Sequence, residues 1–194
     1  MFETNSASCG GFVGISDSFG AALWGLDYAM QMAFSNFSAS LFHVGGQSVF
    51  YNPFTRASFF LSALFLLLYI YSYPAPPTNQ STYRQWTIGP IYYSALVMAE
   101  ALGSSNTTQI VDLLPNNANI YTPAYSIYVG GTLARILLFN YVSDPSGASD
   151  LTVQLNLGGA GGSPGPSQVK VKYLQASSVS QKGNFTWAGQ VKKK

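Results

Sequence analysis

The sequence predicts an α+β chain in two parts, alternating strands and helices over residues 1–103 and an antiparallel β part over 104–194. Three observations lead there. Apolar residues at Leu23, Leu26, Met30 and Phe34 recur at helical spacing, and the short apolar segment ASLFHV (39–44) follows them. That strand–loop–helix–strand order marks a parallel sheet or barrel. From Ser104 the pattern changes to short alternating or β-branched segments, each closed by turn residues.

The polar loop TNSASCGGFVGIS leads into the first helix, for which Ser16 or Asp17 is the expected N-cap and Asn36 the approximate end. Gly45-Gly46 close the following strand, and QSVFYNPFT reads as a loop. A second helix is expected over Pro90–Leu102, with Pro90 in its first turn and Gly103 as its stop. QIVDLL, AYSIYV, LARILLFNYV, LTVQLNL and VKVKYLQA then read as strands, with Gly130-Gly131 as a hairpin turn and GGAGGSPGPS as a Gly/Pro/Ser loop.

Composition narrows the function classes. Charged residues make up 8% of the chain, against about a quarter in ordinary soluble domains. Aromatic residues make up 15%, a balance found in extracellular β-rich proteins, carbohydrate-active ones among them. The net charge of +2 comes largely from Lys192, Lys193 and Lys194. These read as a solvated end, and with no basic patch elsewhere no nucleic-acid partner is expected. One cysteine (Cys9) and one histidine (His43) exclude an intrachain disulfide and a zinc site of His and Cys. Sequons at Asn36, Asn79, Asn106 and Asn184 point towards a secretory route. Met1-Phe2-Glu3 runs directly into polar residues without a signal peptide, so a missing front end is expected.

The run Ala57–Tyr73 has seventeen residues without charge, Gly or Pro. It reaches the lower limit of about 17 residues for a bilayer-spanning helix. A single crossing would put the second helix and the β part on the side opposite Glu3, which conflicts with a fold shared by both flanks. An apolar lid or docking insertion and a membrane helix both stay open.

Seven carboxylates are available for chemistry: Glu3, Asp17, Asp27, Glu100, Asp112, Asp144 and Asp150. Asp17 reads as a helix cap, and Asp27 and Glu100 as helix positions. Glu3 stands at what would be a strand end, before a Gly-containing loop, where barrel enzymes keep catalytic residues. A surface glutamate near a terminus is the alternative.

The stretches FETNSASCGGFVGISDSFGAALWGLDYAMQMAF, LFHVGGQSVFYNPFT, YRQWTIGPIYYSALVMAEALG, IYTPAYSIYVGGTLARILLFNYVSDPSGASD and VKVKYLQASSVSQKGNFTWAGQ resemble, in order, the C-terminal half of glycoside hydrolase family 79. This is the family of fungal and bacterial β-glucuronidases and heparanase. The resemblance implies the last βα units of a (β/α)₈ TIM barrel over 1–103, with an apolar insertion at about 56–74. An antiparallel β-sandwich-like C-terminal domain would occupy 104–194. It implies a secreted enzyme that hydrolyses β-linked glucuronic acid with retention, on uronate-bearing glycans such as arabinogalactan-type chains, without a cofactor. Retaining glycosidases use two carboxyl groups roughly 5 Å apart. Carried over, Glu3 of the ETNS motif is the nucleophile. Ser8, Cys9 and Gly10 form the loop that approaches the substrate carboxylate, and Tyr51 is a second candidate for it, with a packing role as the alternative. His43 reads as a core residue or a substrate contact, and Cys9 itself as a loop packer. Glu100 would face outward from the barrel. The partner acid would precede residue 1, so the chain alone is expected to be inactive. In the family a YNPFT-like loop passes directly into a PPTN-like linker, which adds a retained intron as a reading of the apolar run. The competing function is a non-catalytic carbohydrate-binding or accessory module.

Overall fold

A computed structural model describes residues 3–45, 49–56, 86–144, 146, 148–157 and 165–191. The first helix, α1 (Phe19–Phe34), has the sequence FGAALWGLDYAMQMAF, in which Asp27 and Gln31 are the only strongly polar side chains. Its N-cap is Ser18, in extended conformation, and no side chain caps it. The N–H groups of Phe19 and Gly20 instead donate to the carbonyls of Gln181 and Val179, both at 2.8 Å. This corrects the expected cap: Ser16 Oγ accepts from Phe12 N, and Asp17 accepts from Gly14 N and pairs with Lys182 at 2.8 Å. The cap comes from a segment about 160 residues away, which no local pattern announces.

Thr4 and Phe42 form a parallel bridge, with Thr4 N bonded to Leu41 O and His43 N to Thr4 O, each at 2.9 Å. Together with α1 this is a βαβ crossover. The expected strand over 39–44 is reduced to that one bridge. Further on, β1 (Phe54–Arg56) and β2 (Trp86–Ile88) pair antiparallel, Phe54 opposite Ile88, so part of the expected YNPFT loop is strand. The apolar run at 57–73 lies outside the described residues, as does Asn79. Among the described residues no helix is long and apolar enough to cross a membrane.

The second helix, α2 (Pro90–Leu102), has the predicted ends, with Gly103 at φ 66 accepting the reversal. The two helices meet closely because Gly25 presents no Cβ. An added one would lie 2.8 Å from Ser94 Oγ and 2.9 Å from Ile91 Cδ1. Ser94 Oγ donates across the contact to the Ala22 carbonyl at 2.7 Å.

Among the described residues the β part contains two antiparallel three-stranded sheets. The first has the order β3 (Thr108–Asp112), β4 (Ala124–Val129), β5 (Thr132–Leu138). Its β4–β5 hairpin turns through Gly130 and Gly131 at φ 59 and 79, the left-handed pair that a two-residue hairpin requires. The second is a ribbon of β6 (Leu174–Gln175), β7 (Thr186–Trp187) and β8 (Gln190–Val191). LTVQLNL, expected as a strand, forms none. Leu151, Val153 and Leu155 are each at least 36% exposed, and 151–154 lines a cavity together with Leu138 and Phe139. VKVKYLQA contributes only Leu174 and Gln175.

Two apolar clusters join the sheets to the helices. Leu26 and Met30 of α1 and Val97 and Ala101 of α2 pack against Tyr125 and Ile127 of β4 and against Phe139. Phe19, Ala22 and Leu23 pack with Tyr93 around Phe185, whose ring centroid is 5.3 Å from both Phe19 and Tyr93. Phe185 is fully buried. Replacing it with Ala should lower stability by about 3–5 kcal/mol in urea unfolding, the usual cost of emptying a buried aromatic site. A loss under about 1 kcal/mol would mean that the site collapses or that Phe185 anchors nothing.

Candidate functional site

The parallel bridge of Thr4 and Phe42 sets their chain neighbours Glu3 and His43 side by side. Glu3 Oε1 lies 3.4 Å from His43 Nδ1, and the two side chains are 69% and 41% exposed. His43 is therefore at the surface, not in the core as one reading expected. Its backbone is fixed on both sides: its N–H donates to Thr4 O, and its carbonyl accepts from Asn5 Nδ2 at 2.8 Å. Its ring meets Tyr51 edge-on at 5.9 Å. Tyr51 is buried, with 5% exposure, which fits the packing alternative stated for it.

The loop after Glu3 is held by hydroxyls and glycines. Ser6 Oγ and Ser16 Oγ share a bond at 2.8 Å, and Phe12 N donates to Ser16 Oγ at 3.0 Å. The Ser8 carbonyl accepts from Gly11 N at 3.0 Å, and the Gly10 carbonyl from Phe50 N at 2.7 Å. That second bond ties the loop to the Tyr51 segment. Cys9, Gly10 and Gly11 all have positive φ (54, 89 and 81). Cys9 is exposed, which corrects its reading as a loop packer. Behind the loop, Asn52 exchanges bonds with Gly45, accepting at 3.1 Å and donating at 3.2 Å.

The other carboxylates are engaged elsewhere. Asp17 is paired with Lys182, and Asp144 accepts from Ser146 and Ser149. Glu100 does not face outward alone. It pairs with Lys172 and accepts from Trp187 Nε1 at 3.0 Å, which binds α2 to the second β sheet. The Lys172 ammonium holds its carboxyl below the usual range. No local pattern announces this pairing, since 72 residues separate Glu100 from Lys172.

A second polar cluster lies where α1 meets the first sheet. Tyr125 Oη donates to Asp27 Oδ1 at 2.5 Å. Gln31 Nε2 donates to Asp112 Oδ2 at 2.6 Å and to Tyr125 Oη at 2.8 Å. Burial pushes the Asp27 carboxyl up, against the opposing bonds from Tyr125 and Tyr141, and the nearby Asp112 charge adds to the rise. Burial also raises both tyrosines, and the Asp27 charge adds to it. Among the described residues no group of three or more His, Cys, Asp or Glu could hold a metal ion.

Residues 124–193 match the glycosyl hydrolase family 79 C-terminal beta domain, the stretch that holds the β4–β5 hairpin and the second sheet. That defines a C-terminal β domain of a glycoside hydrolase. A beta-glucuronidase of Aspergillus niger is 34% identical over 152 residues, 78% of this chain and 24% of that protein. The chain carries the C-terminal region of glycosyl hydrolase family 79, and it spans about a quarter of the curated relative it matches.

Gly11 is the tightest point of the loop. A Cβ there would sit 2.6 Å from Ser16 Oγ and 3.0 Å from Tyr51 Cδ1, at a φ of +81. Gly11→Ala should therefore destabilise the chain by more than about 1 kcal/mol. Thermal unfolding checks this, and an unchanged midpoint would show that the loop yields freely.

Proposed function

We propose that this chain is the nucleophile-bearing part of a secreted, retaining β-glucuronidase-like hydrolase that acts on β-linked glucuronic acid. Residues 1–103 would be the last βα units of a (β/α)₈ barrel and 104–194 its C-terminal β domain. The observation that carries the reading is Glu3 at a strand end, parallel-bridged through Thr4 to the Phe42 strand. Catalytic residues of barrel enzymes stand at this end of the strands. The likeness to a beta-glucuronidase supplies the sugar class.

In this reading Glu3 attacks the anomeric carbon, the glycosidic bond breaks, and a glycosyl ester forms that water then hydrolyses. His43 stands beside the carboxylate, the Ser8–Gly10 loop lies towards the sugar carboxylate, and the buried Tyr51 packs against the His43 ring. The residues that hold Asp17, Asp27, Glu100, Asp112 and Asp144 leave none of these free to act as the acid. Retention needs a second carboxyl as proton donor, and none of these five supplies it. Apolar side chains next to His43 also support a wall continued by further strands, since Leu41 and Val44 are 49% and 56% exposed.

A sugar fluoride tests the nucleophile alone, because fluoride leaves without a protonating acid. A 2-deoxy-2-fluoro-β-glucuronyl fluoride should esterify the peptide containing Glu3, as read by mass spectrometry, and Glu3→Gln should not be labelled. Label on another carboxylate, or none, would overturn the assignment. A natural glucuronide should turn over about 10²–10⁴-fold more slowly without the acid than with it, the usual range for general acid–base help.

The secretory part of the reading rests on the sequons. Asn36, Asn106 and Asn184 are all exposed, and each takes a positive φ, 63, 54 and 53. Expression through a secretory pathway should give glycans that endoglycosidase removes, and Asn→Gln at each position should remove one. Unmodified protein from such a host would sink this part alone.

A further inference from the structure

We propose that Asp27 makes the seat of the first β sheet on α1 an acid-strengthened joint, in which uptake of one proton by Asp27 tightens the attachment and its ionisation loosens it.

The geometry carries the proposal. Asp27 sits beside the cluster that joins the helices to the sheet: Leu26 and Met30 of α1 belong to it, as do Tyr125 and Phe139. The groups facing Asp27 are Tyr125 of β4, Tyr141 beyond β5 and Asp112 of β3. Gln31, one helical turn along α1, bridges Asp112 and Tyr125. Two carboxylates thus share one joint with neutral donors. Among the described residues neither Asp27 nor Asp112 has a cationic partner. Lys182 pairs with Asp17 and Lys172 with Glu100, while Arg135 of β5 donates to the Ala101 carbonyl on α2 at 3.2 Å. A partly buried carboxylate facing a like charge, with no cation, favours its neutral form. The protonated acid still accepts from Tyr125 and no longer repels Asp112.

The direction of the pH effect follows. The Asp27 carboxyl is held above its ordinary value by burial. Its contribution is therefore fully present below that ordinary value and is lost as pH rises through the raised one. Glu100 and Asp144 are shifted downward and act in the opposite sense, so only a difference between variants isolates Asp27.

Thermal unfolding of the full chain from about pH 3 to 8 should be compared for the natural sequence and Asp27→Asn, which keeps the acceptor oxygen. The midpoints should coincide near pH 3, and the variant should lie about 2–4 °C higher near pH 7, the scale expected for a chain of this size. A constant or zero offset across the range would overturn the proposal. Tyr125→Phe gives an independent check, since it removes the donor that the ionised carboxylate most needs. Its loss should be larger near pH 7 than near pH 3, and an equal loss at both would count against the joint.

Discussion

The fold depends on one constraint: α1 is apolar almost all round and must be covered almost all round. A helix of that kind is stable only when enclosed, and here each side has a different cover. The α2 helix closes on it at Gly25, and the first sheet packs on it through Tyr125 and Ile127. Phe185 fills the space beside Phe19. Trp24 and Tyr28 stack at 5.2 Å and meet Phe42 edge-on. Asp27 and Gln31, its two strongly polar side chains, are half-buried against the sheet and bonded to it.

This arrangement makes the β part a structural completion of the helix pair, not an appendage. The ribbon loop around Val179–Gln181 supplies carbonyls to the first turn of α1, Lys182 reaches Asp17, and Lys172 reaches Glu100. The exposed charge pairs are each worth little by themselves. The buried Phe185 and the Tyr125–Ile127 face carry more, since hydrophobic burial scales with the area removed from water.

Elements with a local cause could be read from the sequence. α2 has Pro at its start and Gly at its end, and the β4–β5 hairpin has its two glycines, so both lie where predicted. The cap of α1 could not be read, because its partners are backbone carbonyls far along the chain. LTVQLNL has the right alternation but lacks a partner strand among the described residues, and alternation alone does not create one. The site shows the same division. Glu3 stood out through its motif, and it adjoins the bridge of Thr4 and Phe42. The contacts of His43, Asp27 and Glu100 depend on which strands lie side by side, and no spacing along the chain encodes that.

The pairing of Phe54 with Ile88 has a consequence for how this region can change length. Twenty-nine residues separate Arg56 from Trp86, yet the two strands that bound them are register partners. For a loop closed by such a pair, free energy depends on the logarithm of the number of residues within it. Shortening such a loop about threefold would change the closure entropy by only about 1 kcal/mol. Selection on stability would therefore barely register chain gained or lost between these two strands. A segment of foreign composition can persist there while the helices and sheets on either side keep their packing.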